Sequence, residues 1–224
     1  MNKLIVHVIT GLGSGGAEAA MYSLIKESNY NSHVVISLTD IGYYGEMLES
    51  LNVKVYALGL RRFFISPLDI IQALRLVKSL NPSAIQCWMY HANLFGVLVG
   101  RLVGVPVFWS IHQTHVDIGR NGFKNFFLIK VGAFISRVIP KAIVYCSKLA
   151  LESHAKCGYK NNNSFVIFNG VDVKRFKILE DTARINIRKN IGCPEDFILI
   201  GMDARYAPEK DFATLLCAIA EYKK

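Results

Sequence analysis

The first residues of the chain combine an apolar run with a cluster of glycines, a pattern that can bind phosphate. Residues 4–9 are mainly apolar, and residues 10–16 contain four glycines before a helical pattern begins at residue 17. The free backbone N–H groups at the start of a helix can hold an anion. Glycine allows close approach of a ligand or supplies a positive φ. Gly15 and Gly16, directly before the helix, are therefore candidate ligand-binding residues.

The spacing of the glycines leaves three interpretations open. Gly11, Gly13 and Gly16 match the dinucleotide-binding pattern G-x-G-x-x-G, and Asp40 follows the next apolar run, where an acid would bind a ribose. The same loop can hold a nucleotide or a nucleotide sugar. A tight turn between a strand and a helix, with no ligand, has the same composition.

Two histidines stand where apolar runs end. His91 follows residues 84–88, and His112 ends the run that begins at residue 105. In parallel α/β sheets the ligand crevice lies at the carboxyl ends of the strands, so both histidines are candidates for a site. His115 and Asp117 give the segment after His112 the residue types of a metal site, but no companion motif accompanies them, and we expect no metal.

A pair of cations follows a later apolar run. Arg205 and Lys210 lie on the loop that comes after residues 197–202. Positioned cations stabilise a departing diphosphate as its negative charge grows. A solvated pair on the surface is the alternative for these two side chains.

Short apolar runs alternate with helical patterns, which predicts a parallel sheet covered by helices on both faces. Residues 1–163 are expected to form a doubly wound, Rossmann-like α/β domain. Residues 164–224 are expected to hold a linker and the first strand–helix unit of a second Rossmann-like domain, too short to bury a core of its own. We expect strands at residues 4–9, 33–38, 53–57, 84–88, 105–110, 141–146, 164–168 and 197–202.

The composition narrows the classes of partner and the compartment. The chain has 224 residues and a net charge of +9, without a motif typical of nucleic-acid binding. We therefore expect a phosphorylated ligand or an anionic membrane and no nucleic acid. Five cysteines without a C-x-x-C pair indicate a reducing, cytoplasmic location. Residues 92–111 approach the length of a membrane span, but Arg101 and Pro106 interrupt them and favour a helix followed by a strand.

Two segments mix basic and aromatic residues and are candidates for peripheral contact with a membrane. Lys124, Lys130, Arg137 and Lys141 flank the phenylalanines of residues 120–141, and residues 61–64 read Arg-Arg-Phe-Phe. Such a segment can lie on an anionic bilayer. A core helix with solvated lysines is an equally good interpretation.

Four motifs, taken in order along the whole chain, resemble the family-four retaining glycosyltransferases. They are Gly-Ser-Gly-Gly-Ala-Glu at residues 13–18, Val-Phe-Trp-Ser-Ile-His at 107–112, Val-Ile-Phe-Asn-Gly-Val-Asp at 166–172 and Ala-Arg-Tyr-Ala-Pro-Glu-Lys-Asp at 204–211. The resemblance implies a two-domain GT-B fold and transfer of a sugar from a nucleotide sugar to an acceptor held by the N-terminal domain.

The resemblance also implies roles for the candidate residues. His112 would act against the donor sugar as the catalytic residue, Gly15 and Gly16 would contact its phosphate or sugar, and Arg205 and Lys210 would bind the diphosphate. We interpret His91 as lying near the acceptor. The expected donor is a UDP- or GDP-sugar, and the expected acceptor is a saccharide or lipid-linked saccharide of surface polysaccharide synthesis. No cofactor or metal is expected, and the enzyme would be cytoplasmic or peripheral on the inner face of the plasma membrane.

The chain also departs from the family pattern. Phe168 stands where the family more often has proline, and Ala204 and Asp211 stand where it usually has glycine. The Glu-x7-Glu donor motif of the family is not found in the 224 residues, so we expect these residues alone to be inactive. An NAD(P)-dependent oxidoreductase that uses residues 11–16, and a non-catalytic binding subunit, remain alternatives.

Overall fold

The computed structural model describes residues 3–60, 66–114, 116, 118–160, 162–174, 176–178, 180–204, 206–207 and 210–222; for residues 118–121 it describes the backbone alone. The chain divides into two compact units, Met1–Gly170 and Val171–Lys224.

The first unit is built on seven parallel strands in the order β3-β2-β1-β4-β5-β6-β7. The chain starts in the middle of the sheet, adds strands on one side and then crosses over to add the others. This topology confirms the predicted doubly wound sheet. The strands are β1 (Lys3–Ile9), β2 (Asn31–Ser37), β3 (Lys54–Ala57), β4 (Ala84–Trp88), β5 (Val107–Ile111), β6 (Ala142–Tyr145) and β7 (Ser164–Val166).

Helices link successive strands and cover both faces of the sheet. Met21 and Leu48 from the first two helices pack on one face with Ile9 of β1. The next four helices pack on the other face, in a larger core around Trp109 and Tyr145. The helices of this unit are α1 (Gly16–Lys26), α2 (Gly42–Ser50), α3 (Pro67–Leu80), α4 (Tyr90–Val103), α5 (Ile118–Ile135) and α6 (Lys148–Lys156).

Two helices begin at serine caps. The backbone N–H of Asp69 donates to Ser66 Oγ over 3.2 Å, and the N–H of Ser66 donates back to the Asp69 carboxylate over 2.8 Å. This reciprocal pair, with proline as the first residue of α3, satisfies N–H groups that have no partner inside the helix. At the start of α6, Ser147 Oγ accepts from the N–H of Ala150 over 3.0 Å.

The apolar stretch at residues 92–111 is a helix followed by a strand, as expected. Helix α4 ends at Val103, Gly104 has a φ of 77°, and β5 begins at Val107. Within the described ranges, no helix combines the length with the apolar composition that crossing a bilayer requires.

Two predicted strands differ in the structure. The strand assigned by sequence to the start of the second domain is β7, which pairs with β6 in the first sheet. This pairing occupies backbone groups on the edge of β6 that would otherwise have no partner. Residues 197–202 are irregular, and no strand is present in the described part of the second unit. A strand needs a neighbour for its backbone hydrogen bonds, and these residues have none there.

The second unit contributes two helices, α7 (Asp181–Asn190) and α8 (Phe212–Tyr222). Neither contains a buried residue, and Ile198 is 74% exposed. The expectation that this part of the chain cannot bury a core by itself agrees with that exposure.

A buried histidine organises the core beneath β6. His154 of α6 is fully buried, and its Nδ1 lies 2.7 Å from the carbonyl oxygen of Ala150. Because a carbonyl can only accept, Nδ1 carries a proton. Burial keeps the ring neutral at pH 7, so Nε2 accepts from the hydroxyl of Tyr90, 2.8 Å away. Burial lowers its pKa to about 4, and the hydrogen bond to Ala150 opposes part of that shift.

We expect the free energy of unfolding to fall as the pH is lowered from 7 to 5.5. Burial lowers the pKa of His154 to about 4. Burial, with a smaller contribution from His33, lowers the pKa of His7 to about 3. In the unfolded chain both histidines have a pKa near 6.5. The unfolded chain therefore binds more protons below pH 6.5, and each such histidine contributes up to about 1.4 kcal/mol of lost stability per pH unit. Urea unfolding at several pH values measures this slope.

His154→Gln should remove its share of the slope, because glutamine does not titrate. An identical slope in the wild-type chain and in this variant would contradict the assignment of His154 as a buried neutral group.

Candidate functional site

The candidate groups of the first unit meet at the carboxyl edge of the sheet. Strands β1, β4 and β5 are neighbours, and Ile9, Trp88 and Ser110 lie side by side near their ends. The glycine loop (residues 10–16) follows β1, and His112 follows β5. The predicted placement of the glycine loop and His112 on one edge is therefore confirmed, with only β4 between their strands.

The glycine loop is held by the connection between β2 and α2. The N–H and the hydroxyl of Thr39 both donate to the carbonyl oxygen of Thr10, over 3.0 and 2.9 Å. The N–H of Tyr44 donates to the carbonyl oxygen of Leu12 over 2.8 Å, and the Leu12 side chain is fully buried. The loop therefore has a fixed shape at both of these carbonyls.

The conformational role expected for the glycine loop belongs to a different glycine. None of its four glycines has a positive φ; instead Gly42, at the start of α2, has a φ of 50°. A Cβ on Gly42 would lie 2.6 Å from the carbonyl carbon and oxygen of Leu12. Within the loop, a Cβ on Gly11 would lie 2.8 Å from Thr39 Oγ1. These glycines are needed for close packing of the loop against the β2–α2 connection.

Gly15 and Gly16 form the start of α1. Gly15 is the N-cap and makes no side-chain capping bond, and a Cβ on Gly16 would meet nothing within 4 Å. The carboxyl group of Glu18 lies against Gly15, close to where a Cβ would be. This carboxylate already places negative charge at the positive end of the helix. The geometry therefore suits a ligand that offers hydroxyl groups here better than a second anion.

His112 is half-buried and held from two directions. Its ring stacks on the indole of Trp88, with centroids 5.2 Å apart and planes inclined by 26°. Its backbone N–H donates to the Sδ atom of Met89 over 3.3 Å. Burial lowers the pKa of His112, so its imidazole is neutral at pH 7. Its Nδ1 atom is buried and hydrogen-bonds to none of the described residues.

The turn between β4 and α4 is strained. Met89 has φ 69° and ψ 174°, a conformation that side chains other than glycine rarely adopt. The N–H of Met89 donates to the Ser110 carbonyl over 3.0 Å, and its carbonyl accepts from the N–H of Asn93 over 2.8 Å. Sequence reasoning missed Trp88 and Met89 as site residues. The sequence feature that could have indicated them is a tryptophan at the end of an apolar run.

Of the remaining predicted residues, the structure describes His91 and Lys210 but not Arg205, His115 or Asp117. His91 lies in the first turn of α4, at the same edge as His112; the N-cap of that helix is Met89. Lys210 belongs to the second unit and its side chain is exposed. Arg205, His115 and Asp117 lie outside the described residues, as do residues 61–65. Among the residues that are described, no group of three or more His, Cys, Asp or Glu side chains could hold a metal ion.

Comparisons with known proteins agree with this architecture. Over 99% of the chain, it is 24% identical to the provisionally assigned glycosyltransferase EpsF of Bacillus subtilis (strain 168), and it covers 59% of that protein. The crystal structure of Anabaena Alr3699/HepE in complex with UDP matches 99% of the chain with a TM-score of 0.81 and 17% identity, over 58% of its own length. A glycosyltransferase from Rickettsia africae ESF-5 matches with a TM-score of 0.71 and 14% identity, again over 58% of its length.

The structural matches show the fold, a Rossmann-like α/β unit of the GT-B type, and the chain spans somewhat more than half the length of these relatives. The family follows from a separate comparison. Residues 14–175, more than half of the chain, match the model of Glycosyltransferase Family 4. The chain belongs to Glycosyltransferase Family 4.

Proposed function

We propose that this chain forms the acceptor side and the beginning of the donor side of a glycosyltransferase that moves a sugar from a UDP- or GDP-sugar to a saccharide or lipid-linked acceptor. One observation carries the proposal: the glycine loop and His112 share one edge of the sheet, in a member of Glycosyltransferase Family 4. Synthesis of a surface polysaccharide is the process we expect it to serve.

The nature of the donor is supported by the relatives and by charge. HepE, whose fold this chain shares, has been crystallised with UDP and with UDP-glucose. The net charge of +9 favours an anionic substrate. None of the relatives described above is an oxidoreductase by name, and the nicotinamide interpretation of Gly11, Gly13 and Gly16 has no support from them.

The neutral state of His112 suits sugar transfer. Cleavage of a glycosidic bond passes through a transition state with positive charge on the sugar ring. An imidazolium at this position would repel that charge, whereas a neutral imidazole can hydrogen-bond to a sugar hydroxyl without doing so. Burial keeps His112 neutral, since it lowers the pKa of the ring. We therefore assign His112 to orientation and stabilisation of the donor sugar, and not to proton donation.

The proposal assigns a separate task to each group of candidate residues. The start of α1, with Gly15, Gly16 and the Glu18 carboxylate, suits hydroxyl groups of a sugar. We assign His91, in the first turn of α4, to contact with the acceptor. Arg205 and Lys210 supply the positive charge for the leaving diphosphate, so the proposal needs no metal ion.

Arg205→Ala and Lys210→Ala should each lower kcat/KM by about a hundred- to a thousandfold, or about 2.7–4 kcal/mol, because a fixed cation stabilises the diphosphate most as its charge develops. We would measure transfer from UDP- and GDP-sugars in a chimaera in which the C-terminal part of EpsF follows residue 222. Arg205→Lys should recover part of the loss, since lysine keeps the charge but not the planar pair of donors.

Lys189→Ala, which removes an exposed cation of α7, is the matched control and should leave kcat/KM unchanged. Activity that EDTA abolishes, with the Arg205 and Lys210 variants near wild type, would contradict the diphosphate assignment. Absence of transfer from either class of nucleotide sugar in a folded chimaera would contradict the proposed function itself.

We further propose that α5 binds an anionic membrane peripherally. Phe123, Phe127, Phe134 and Val138 are 60–81% exposed, and their spacing places them on one side of the helix and its continuation. Basic side chains flank this stripe, and the Lys130 ammonium lies 5.4 Å from the centroid of the Phe126 ring. An apolar stripe bordered by cations is the arrangement of a helix that lies in a lipid interface.

The chain should co-sediment with vesicles that contain anionic lipid and be released at high salt. Lys130→Gln with Lys141→Gln should weaken binding about thirtyfold, because each basic residue near the surface contributes about 1 kcal/mol. Phe127→Ala should also weaken binding, whereas Leu68→Ala, which removes an exposed apolar side chain of α3, should not. Equal binding to neutral and anionic vesicles would overturn the membrane proposal.

A further inference from the structure

Aromatic side chains from β2, β1 and β4, and from His112 directly after β5, form a row across one face of the sheet. His33 of β2 stacks on His7 of β1 with ring centroids 5.1 Å apart. The ring of His7 lies 6.0 Å from that of Trp88, at the end of β4, and Trp88 stacks in turn on His112. The row therefore connects the middle of the sheet to the candidate site at its carboxyl edge.

The hydrogen bonds along this row have a fixed direction. The indole N–H of Trp88 can only donate, and it lies 3.1 Å from Nδ1 of His7. Nδ1 of His7 is therefore the acceptor, and its proton is on Nε2. That Nε2–H donates to Nδ1 of His33, 2.9 Å away. Both imidazoles must then be neutral, each with its proton on Nε2, since a second proton on either ring would leave two donors facing each other.

This polar arrangement lies deep in the structure. His7 is 1% exposed and Trp88 is 3% exposed, and His7 pairs across the sheet with Val35 of β2 and Gln86 of β4. An apolar residue in place of His7 would avoid the desolvation of its two ring nitrogens. His7 instead provides one acceptor, Nδ1, for the indole N–H of Trp88, and this hydrogen bond fixes the plane of the indole.

Trp88 in turn fixes the ring of His112. The indole covers one face of that imidazole, while Met89 Sδ accepts from the His112 backbone N–H. Asn93 stabilises the strained turn at Met89. With its amide oriented to donate, its side-chain nitrogen lies 3.1 Å from the carbonyl oxygen of Met89 and 3.2 Å from that of Cys87. Ring plane and backbone of His112 are thus both determined by the β4–α4 turn.

We propose that Trp88 is a positioning residue for His112 and that His7 holds Trp88 in place by accepting its indole N–H. The purpose of this positioning rests on the proposed role of His112 in sugar transfer. The positioning itself is a property of the chain and can be measured without a substrate.

Two substitutions of His7 separate the hydrogen bond from simple packing. His7→Asn keeps an acceptor near the position of Nδ1, whereas His7→Leu fills similar space without one. Stacking on an indole moves the ring-proton resonances of His112 upfield in NMR spectra. We expect that shift in the wild-type chain and in His7→Asn, and its loss in His7→Leu and in Trp88→Leu. Long-range ¹H–¹⁵N spectra of the wild-type chain at pH 7 should show His7 and His33 as neutral rings protonated at Nε2.

Ser136→Ala is the control, because it removes another buried hydrogen-bonding group, whose partners Ala133 and Lys160 belong neither to the row nor to the β4–α4 turn. It should lower stability but leave the His112 resonances in place. In the chimaera with EpsF, His7→Leu should lower kcat about tenfold with little change in KM, because a small misplacement of a reacting group is costly, and His7→Asn should restore most of it.

The positioning proposal would be overturned if His7→Leu kept the upfield shift of His112, if His7 were protonated at Nδ1, or if Ser136→Ala moved the same resonances. These results leave the proposed function untouched. A chimaera without any transfer, in which the wild-type shifts and tautomers are as expected, would instead count against the proposed function while the positioning stands.

Discussion

The parallel pairing of β1, β4 and β5 is the constraint on which the rest of the first unit depends. Their register places Ile9, Trp88 and Ser110 side by side, so the three strands end together at one edge. Whatever follows each strand must then share one crevice. The glycine loop, the Met89 turn and His112 are brought together by this pairing, although 95 residues separate the glycine loop from His112.

The buried imidazoles carry no charge although the chain as a whole is basic. The net charge is +9, yet burial lowers the pKa of His7, His33 and His112 and keeps these rings neutral. In the proposed mechanism, the neutral ring of His112 and Glu18 contact the sugar, whose transition state is positively charged. The same proposal assigns the diphosphate to Arg205 and Lys210.

The architecture of the first unit could be predicted because its signals are local. Continuous apolar runs give buried strands, and Ser66 and Ser147 mark helix starts by capping that needs only near neighbours. The expected strand at residues 197–202 is irregular in the structure, because an apolar composition does not supply the partner that a strand needs. The pairing of residues 164–166 with β6 could not be predicted either, because β6 is distant in the sequence.

The site was only partly accessible to sequence reasoning. His112 and the glycine loop stand at strand ends, which a pattern reveals. The row from His33 to Trp88 depends on the order of the strands and on the contact of the Trp88 indole with His7 of the neighbouring strand. Neither can be inferred from the spacing of residues in the sequence. Gly42 was missed for a similar reason, since its need for glycine arises from contact with Leu12, thirty residues earlier in the chain.

The most direct test of the account is the effect of His112→Ala on kcat/KM for sugar transfer in the chimaera with EpsF. We expect a loss of at least about a hundredfold, as for removal of a positioned group that stabilises the transition state, while Ser136→Ala, after correction for the folded fraction, stays near wild type. A His112→Ala enzyme that transfers sugar at close to the wild-type rate would contradict the assignment of this edge of the sheet as the site of transfer.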